Sequence, residues 1–161
     1  MRYRAFSCIV ALMVTAASAS AQQGVARPMT NQPGIVTVVS AAPFDSTLAR
    51  LERSAVAKGL NVAAKIDHAA AAKRAGQTLR PTTLVIAGNP AAGTPLMVAD
   101  QTMGVELPLR FLVWQGEDGK ARVSYDPIKS IATRHSLTGR DEVLAKMTGA
   151  IESIVKDATA P

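Results

Sequence analysis

The stretch from Leu107 to Tyr125 constrains the fold of this chain more than any other. Leu109, Phe111 and Val113 alternate with Arg110, Leu112 and Trp114, and Ala121, Val123 and Tyr125 alternate with Arg122 and Ser124. Glu117-Asp118-Gly119 separates the two runs with a turn signal, which predicts an antiparallel hairpin. Two registers compete. A two-residue turn at Asp118-Gly119 sets Trp114 opposite Val123 and mixes Phe111 with Arg122 on one face. A three-residue loop with Gly119 as a bulge sets Gly116 opposite Lys120, Phe111 opposite Tyr125 and Val113 opposite Val123. Burial selects the second register. It alone gathers Leu109, Phe111, Val113, Ala121, Val123 and Tyr125 on one apolar face, and a one-residue slip would move the whole set.

The opposite face then carries Arg110, Leu112, Trp114, Arg122 and Ser124, with Trp114 across from Arg122 in position for a cation–π contact. Two readings stand for it. One is a strand face covered by a helix or loop, with Trp114 as core. The other is a ligand-binding surface or subunit contact, where Trp and Arg are enriched.

Signals elsewhere set strands and helices around this hairpin. Ile35 to Val39 is β-branched and reads as a strand. A helix follows from Asp45, with Phe44, Leu48, Leu51 and Ala55 on one stripe and Gly59 at its left-handed end. Leu60 to Ile66 alternates as a half-buried strand, and Asp67 caps a short helix that Gly76 ends. Thr83 to Ala87 is a near-continuous apolar run, as in a central strand covered on both faces, and Gly88-Asn89-Pro90 turns it. Thr94-Pro95 is read as the cap and first residue of a helix to about Met103. After the hairpin, Asp126-Pro127 opens a short helix. Thr138 with Asp141 resembles a capping box for a last helix lined by Val143, Met147, Ile151 and Ile154. The order is β-α-β-α-β-α-β-β-α-α, an α+β domain with a mixed or antiparallel sheet and helices mainly on one face.

The start of the chain reads as an address. Arg2 and Arg4 precede an apolar run from Ala5 to Ala17, and Ala19-Ser20-Ala21 forms an A-x-A cleavage site, the layout of a secretory signal peptide. Residues 1–21 are this leader, 22–34 a flexible lead-in, and 35–157 a single domain. Cleavage leaves 140 of the 161 residues and lowers the formal charge from +6 to +4. It also removes Cys8, the chain's only cysteine, and with it thiol and disulfide chemistry. The expected location is periplasmic or secreted, with no membrane insertion after cleavage. The remaining Lys and Arg are scattered rather than clustered, which argues against nucleic acid.

Ile66-Asp67-His68-Ala69 through Gly76, Leu84 to Gly88-Asn89-Pro90, Leu107-Pro108-Leu109-Arg110 and Val113-Trp114 together resemble the family catalogued as domain of unknown function 302. The resemblance covers about Ile35 to Arg134 and leaves the helix after Thr138 outside. It implies an α+β fold similar to the TATA-binding-protein-like class and a homodimer. That likeness of fold is no argument for DNA binding. The family has no agreed activity, so no catalytic residue carries over.

His68 is the first candidate for chemistry. It stands in the first turn of a helix beside Asp67, where a neutral imidazole serves as a base or metal ligand; the bland alternative is a structural histidine bonded to backbone. One Asp and one His are too few to define a metal site, so no metal or cofactor is expected. His135, near a helix end, reads as a dipole-favoured cation. Gly88 to Thr94 lacks the Lys-Ser/Thr ending of a phosphate loop, and no serine stands in a nucleophile-elbow setting. Met97, Met103 and Met147 read as core.

If the strands ending at Ile66 and Ala87 are parallel neighbours, Asp67, His68 and Asn89 converge at one sheet end within reach of Arg110. The candidate ligand-binding residues are therefore Asp67, His68, Asn89, Arg110 and Trp114, with no catalytic set. A non-enzymatic module that binds or senses a small ligand is the expected function. A small hydrolase or isomerase using His68 as general base, or transient metal or haem binding, is the alternative.

Overall fold

The hairpin adopts the register that burial selects. Phe111 pairs with Tyr125, Val113 with Val123, Trp114 with Arg122 and Gln115 with Ala121. Gly116 N donates to Lys120 O, and Gly119 takes the left-handed conformation at φ 75° that the bulged loop requires.

The computed structural model describes residues 34–161; the leader and most of the lead-in lie outside them. The chain runs β1 (Val36–Val39), α1 (Phe44–Ala57), β2 (Asn61–Asp67), α2 (His68–Arg74), β3 (Thr82–Gly88), α3 (Pro90–Ala99), a 3-10 helix (Gln101–Val105), β4 (Leu109–Gln115), β5 (Ala121–Tyr125), α4 (Ile128–Arg134) and α5 (Asp141–Thr159). The five strands form one sheet in the order β1-β5-β4-β3-β2, and every neighbouring pair is antiparallel. The fold is α+β.

One face of the sheet makes the core. Val85, Phe111, Val113 and Val123 are fully buried there against Leu51 and Ala55 of α1 and Ile151, Ile154 and Ala158 of α5. Met103 and Met147 belong to this cluster and Met97 packs on it, as the sequence predicts. Asp67 caps α2 by accepting from Ala70 N at 2.8 Å. Lys58 N and Gly59 N close α1, and Gly59 has φ 80°.

Four local expectations are corrected. α3 starts at Pro90, with Asn89 as its cap, so Pro95 lies inside the helix and Gln101–Val105 is a separate 3-10 turn. Pro90 wins the first helical position because the Asn89 side chain is free to accept from Ala91 N. Thr138 makes no capping bond, and α5 begins after Arg140. β2 does not alternate cleanly: a bulge between Val62 and Ala64 turns Val62 to the core side and leaves Ala64 and Ile66 on the other. Finally, β2 and β3 are antiparallel rather than parallel.

Candidate functional site

The sheet face away from α1 and α5 is built by the same alternation that builds the core. Thr82, Leu84 and Ile86 of β3 stand beside Trp114, Leu112 and Arg110 of β4, and Arg122 and Ser124 of β5 continue the surface to Thr37 and Val39. Leu84, Ile86, Leu112 and Trp114 are half-buried, and Ile66 and Val39 at its flanks are 41% and 50% exposed.

Trp114 is held from two sides. Its Nε1–H donates to Ser124 Oγ at 2.8 Å, and Ser124 shares a second bond with Thr37 Oγ1 at 2.8 Å. The Arg122 guanidinium stacks on its ring, 5.3 Å from the centroid. Arg122 is only 8% exposed and forms a two-point pair with Asp118, Nη1 and Nη2 each 2.8 Å from a carboxylate oxygen. That pair holds the Asp118 carboxyl far below the usual carboxylate range and raises the guanidinium. The stack needs a bare backbone at Gly116, where a Cβ would lie 1.9 Å from Arg122 Nη1. The sequence-predicted cation–π pair is therefore present, and the loop acid that anchors it is an addition from the structure. Asp118 was visible only as a turn residue.

The convergence of Asp67, His68, Asn89 and Arg110 does not occur. Because β2 and β3 are antiparallel, Asp67 pairs with Thr83 at one end while Asn61 pairs with Gly88 at the other. The two turns are therefore separated by the length of a seven-residue strand, roughly 20 Å. The Asp67 carboxylate is used in capping, and His68 is half-buried with no side-chain hydrogen bond among the described residues. Asn89 does structural work: its amide donates to Gly59 O at 3.0 Å and its oxygen caps α3. Arg110 pairs with Glu106 at 2.8 Å. Trp114 stands at the His68 end of the sheet, since it pairs with Thr82, and Arg110 at the Asn89 end.

A second polar cluster surrounds His135, which sequence reasoning treated as bland. Its Nδ1 lies 2.7 Å from Asp100 Oδ2 and 3.0 Å from Thr102 Oγ1, and its Nε2 lies 3.8 Å from Glu106 Oε1. Glu106 also receives Arg110 and Arg134, and Arg134 reaches Asp126. Thr102 and Asp100 meet the same ring nitrogen. A nucleophile–base relay needs them on opposite nitrogens, so the group is a clasp between the 3-10 turn and α4 rather than a triad. The Thr102 hydroxyl, and after it His135, hold the Asp100 carboxyl below its ordinary range. The only local signal was Asp-x-Thr, which predicts a turn; its meeting with a residue 35 positions on is tertiary.

Among the described residues, no group of three His, Cys, Asp or Glu is arranged to hold a metal. A hollow of about 660 Å³ lies between the β1–α1 connection and the hairpin loop, lined by residues that include Ser40, Phe44 and Lys120. It contains none of the five candidate residues. No helix of the described residues is long and apolar enough to cross a membrane.

These features define a class: an antiparallel α+β module with one helix-covered sheet face and one face that, among the described residues, α1 and α5 leave uncovered. The family described as "Domain of unknown function DUF302" matches residues 36–154, and the chain belongs to it. The match takes in most of α5, so the final helix lies within the family pattern rather than outside it. The crystal structure of the uncharacterized conserved protein DUF302 from Bacillus stearothermophilus has the same fold, with TM-score 0.71, 17% identity, and coverage of 78% of this chain and 98% of that one. The chain is also 41% identical over 113 residues to proteins named Fluoride-specific ion channel FluC 1, from Brucella suis biovar 1 and Brucella abortus biovar 1. The match covers 70% of this chain but 44% and 42% of those proteins, so the chain spans less than half the length of these curated relatives.

Proposed function

We propose that this chain is an exported, non-enzymatic binding module that acts as a homodimer and recognises its partner through the sheet face around Trp114. The observation that carries this reading is the Trp114–Arg122–Asp118 stack beside the apolar side chains of Leu84, Ile86 and Leu112. Aromatic and arginine side chains dominate the energetics of binding surfaces. Here the two cations of the face, Arg110 and Arg122, are already paired within the chain, so covering the face strands no lone charge. A broad sheet face suits an extended segment of a partner better than an enclosed small molecule. The A-x-A leader supports export to the periplasm.

The enzyme alternative is weaker, because His68 has lost its orienter: Asp67 is occupied by Ala70 N. A matching stretch in proteins named as fluoride channels, filling under half of their length, supports a module that works beside another component. Recognition, rather than conduction, is the role proposed for this chain.

Trp114 is the sole tryptophan, so its emission reports on this face alone. Titration of the protein with displayed peptides and a small-molecule panel should yield a binder that shifts that emission. Leu112→Lys should weaken it at least about tenfold, near 1.4 kcal/mol, while His68→Ala leaves it unchanged. A binder lost in His68→Ala but kept in Leu112→Lys would move the site to α2 and overturn the reading.

A further inference from the structure

The two edges of the sheet are built differently. β2 carries the bulge between Val62 and Ala64 and the charged residues Lys65 and Asp67, devices that block pairing with another chain. β1 has neither. It reads Val-Thr-Val-Val without charge, proline or bulge, and Ile35, Val36 and Val39 are 44%, 37% and 50% exposed. Natural sheets seldom leave such an edge uncovered.

We infer that β1 is the homodimer contact, pairing antiparallel with β1 of a second copy so that the two five-stranded sheets become one. The inference rests on the homodimer reading above and assigns its contact to the strand edge rather than to the Trp114 face.

Backbone alternation restricts the register, and the short length of β1 centres it. Ser40 N donates to Ala121 O, so the hydrogen-bonding alternation turns the Val38 and Val36 backbone toward β5. The N–H and C=O groups of Ile35, Thr37 and Val39 then point outward. Side-chain alternation also places these three residues together, on the open face with Ser124 and Arg122. A two-fold axis perpendicular to the sheet at Thr37 satisfies both. Thr37 then exchanges bonds with Thr37 of the second copy, and Ile35 does so with Val39. Each outward backbone group gains a partner, and exposed Ile35 packs against exposed Val39. The absence of charge means that self-pairing meets no repulsion, and the isologous geometry closes at two copies. The Trp114 face stays free on both subunits.

The test uses the full chain with Cys8→Ser. Directly opposed residues of a hydrogen-bonded pair lie about 5.5 Å apart at Cα, within disulfide reach. Thr37→Cys should therefore oxidise to a covalent dimer, while Val56→Cys on α1, which is more exposed than Thr37, should not. Without cysteines, light scattering at about 100 μM should give twice the chain mass, because association follows mass action. Val39→Lys should give a monomer, and Ile66→Lys on the open face should stay dimeric. A wild-type monomer would overturn the inference, as would a dimer that survives Val39→Lys or fails to cross-link at Thr37→Cys. Dissociation by Ile66→Lys alone would assign the contact to the open face instead. The Trp114 emission titration is read separately, so loss of the edge contact and loss of the recognition face are distinguishable.

Discussion

Both faces of the sheet carry large apolar side chains, yet among the described residues long helices cover only one. On the core face, β3, β4 and β5 present Val85, Phe111, Val113 and Val123, all fully buried under α1 and α5. On the other, the same strands present Leu84, Leu112 and Trp114, half-buried, with Arg110 and Arg122 among them. Hydrophobicity alone does not separate the two. Charge placement does: these three strands put no charged residue on the core face, and each arginine of the open face has an acid four residues away, Glu106 for Arg110 and Asp118 for Arg122. With its ions paired locally, neither guanidinium would be left as a lone charge if the face were covered.

The largest expected effect tests whether the faces really differ. Phe111→Ala should cost about 3–5 kcal/mol in urea unfolding, since it empties a fully buried site. Leu112→Ala, its neighbour on the opposite face, should cost about half of that or less, because part of its surface is already in water. Equal costs would mean that the open face is covered within the chain, and the comparison would fail. A smaller effect is expected at Trp114→Phe, which removes the bond to Ser124 and weakens the stack on Arg122. Thermal melts should register about 1 kcal/mol.

The smallest effect is a pH signature. The Asp118 carboxyl is depressed by its bond to Arg122, so its stabilisation is fully present above the ordinary carboxylate value of about 3.9 and is lost as pH falls through the folded-state value. Asp118→Asn should thus be less stable than the wild type at pH 7, with the gap narrowing below about pH 4. A gap that is unchanged on acidification would show that Asp118 holds the loop by its shape rather than by its charge.

The hairpin register, the α+β class, the Asp67 cap and the core stripe of α1 were legible because each follows from short-range pattern. A bulged turn, a capping side chain and an apolar period are all decided within a few residues. The Trp114–Arg122 pair was legible for the same reason, since the hairpin register implies it. The shared site of Asp67, His68 and Asn89 was not, because strand direction between β2 and β3 is a long-range choice. Each strand reads alike in either orientation.

The sequence by itself therefore determined which residues alternate, where most turns fall and which side of the hairpin is purely apolar, since those depend on local backbone geometry and burial. The tertiary structure alone decided that β3, a strand apolar enough for burial on both sides, has one face left without a long helix. It likewise decided that His135 meets Asp100, that the β2 bulge turns Val62 inward, and that β1 ends the sheet with no further strand beside it among the described residues. Those outcomes depend on which elements become neighbours. That is set by the combined packing of distant segments, and no local period records it.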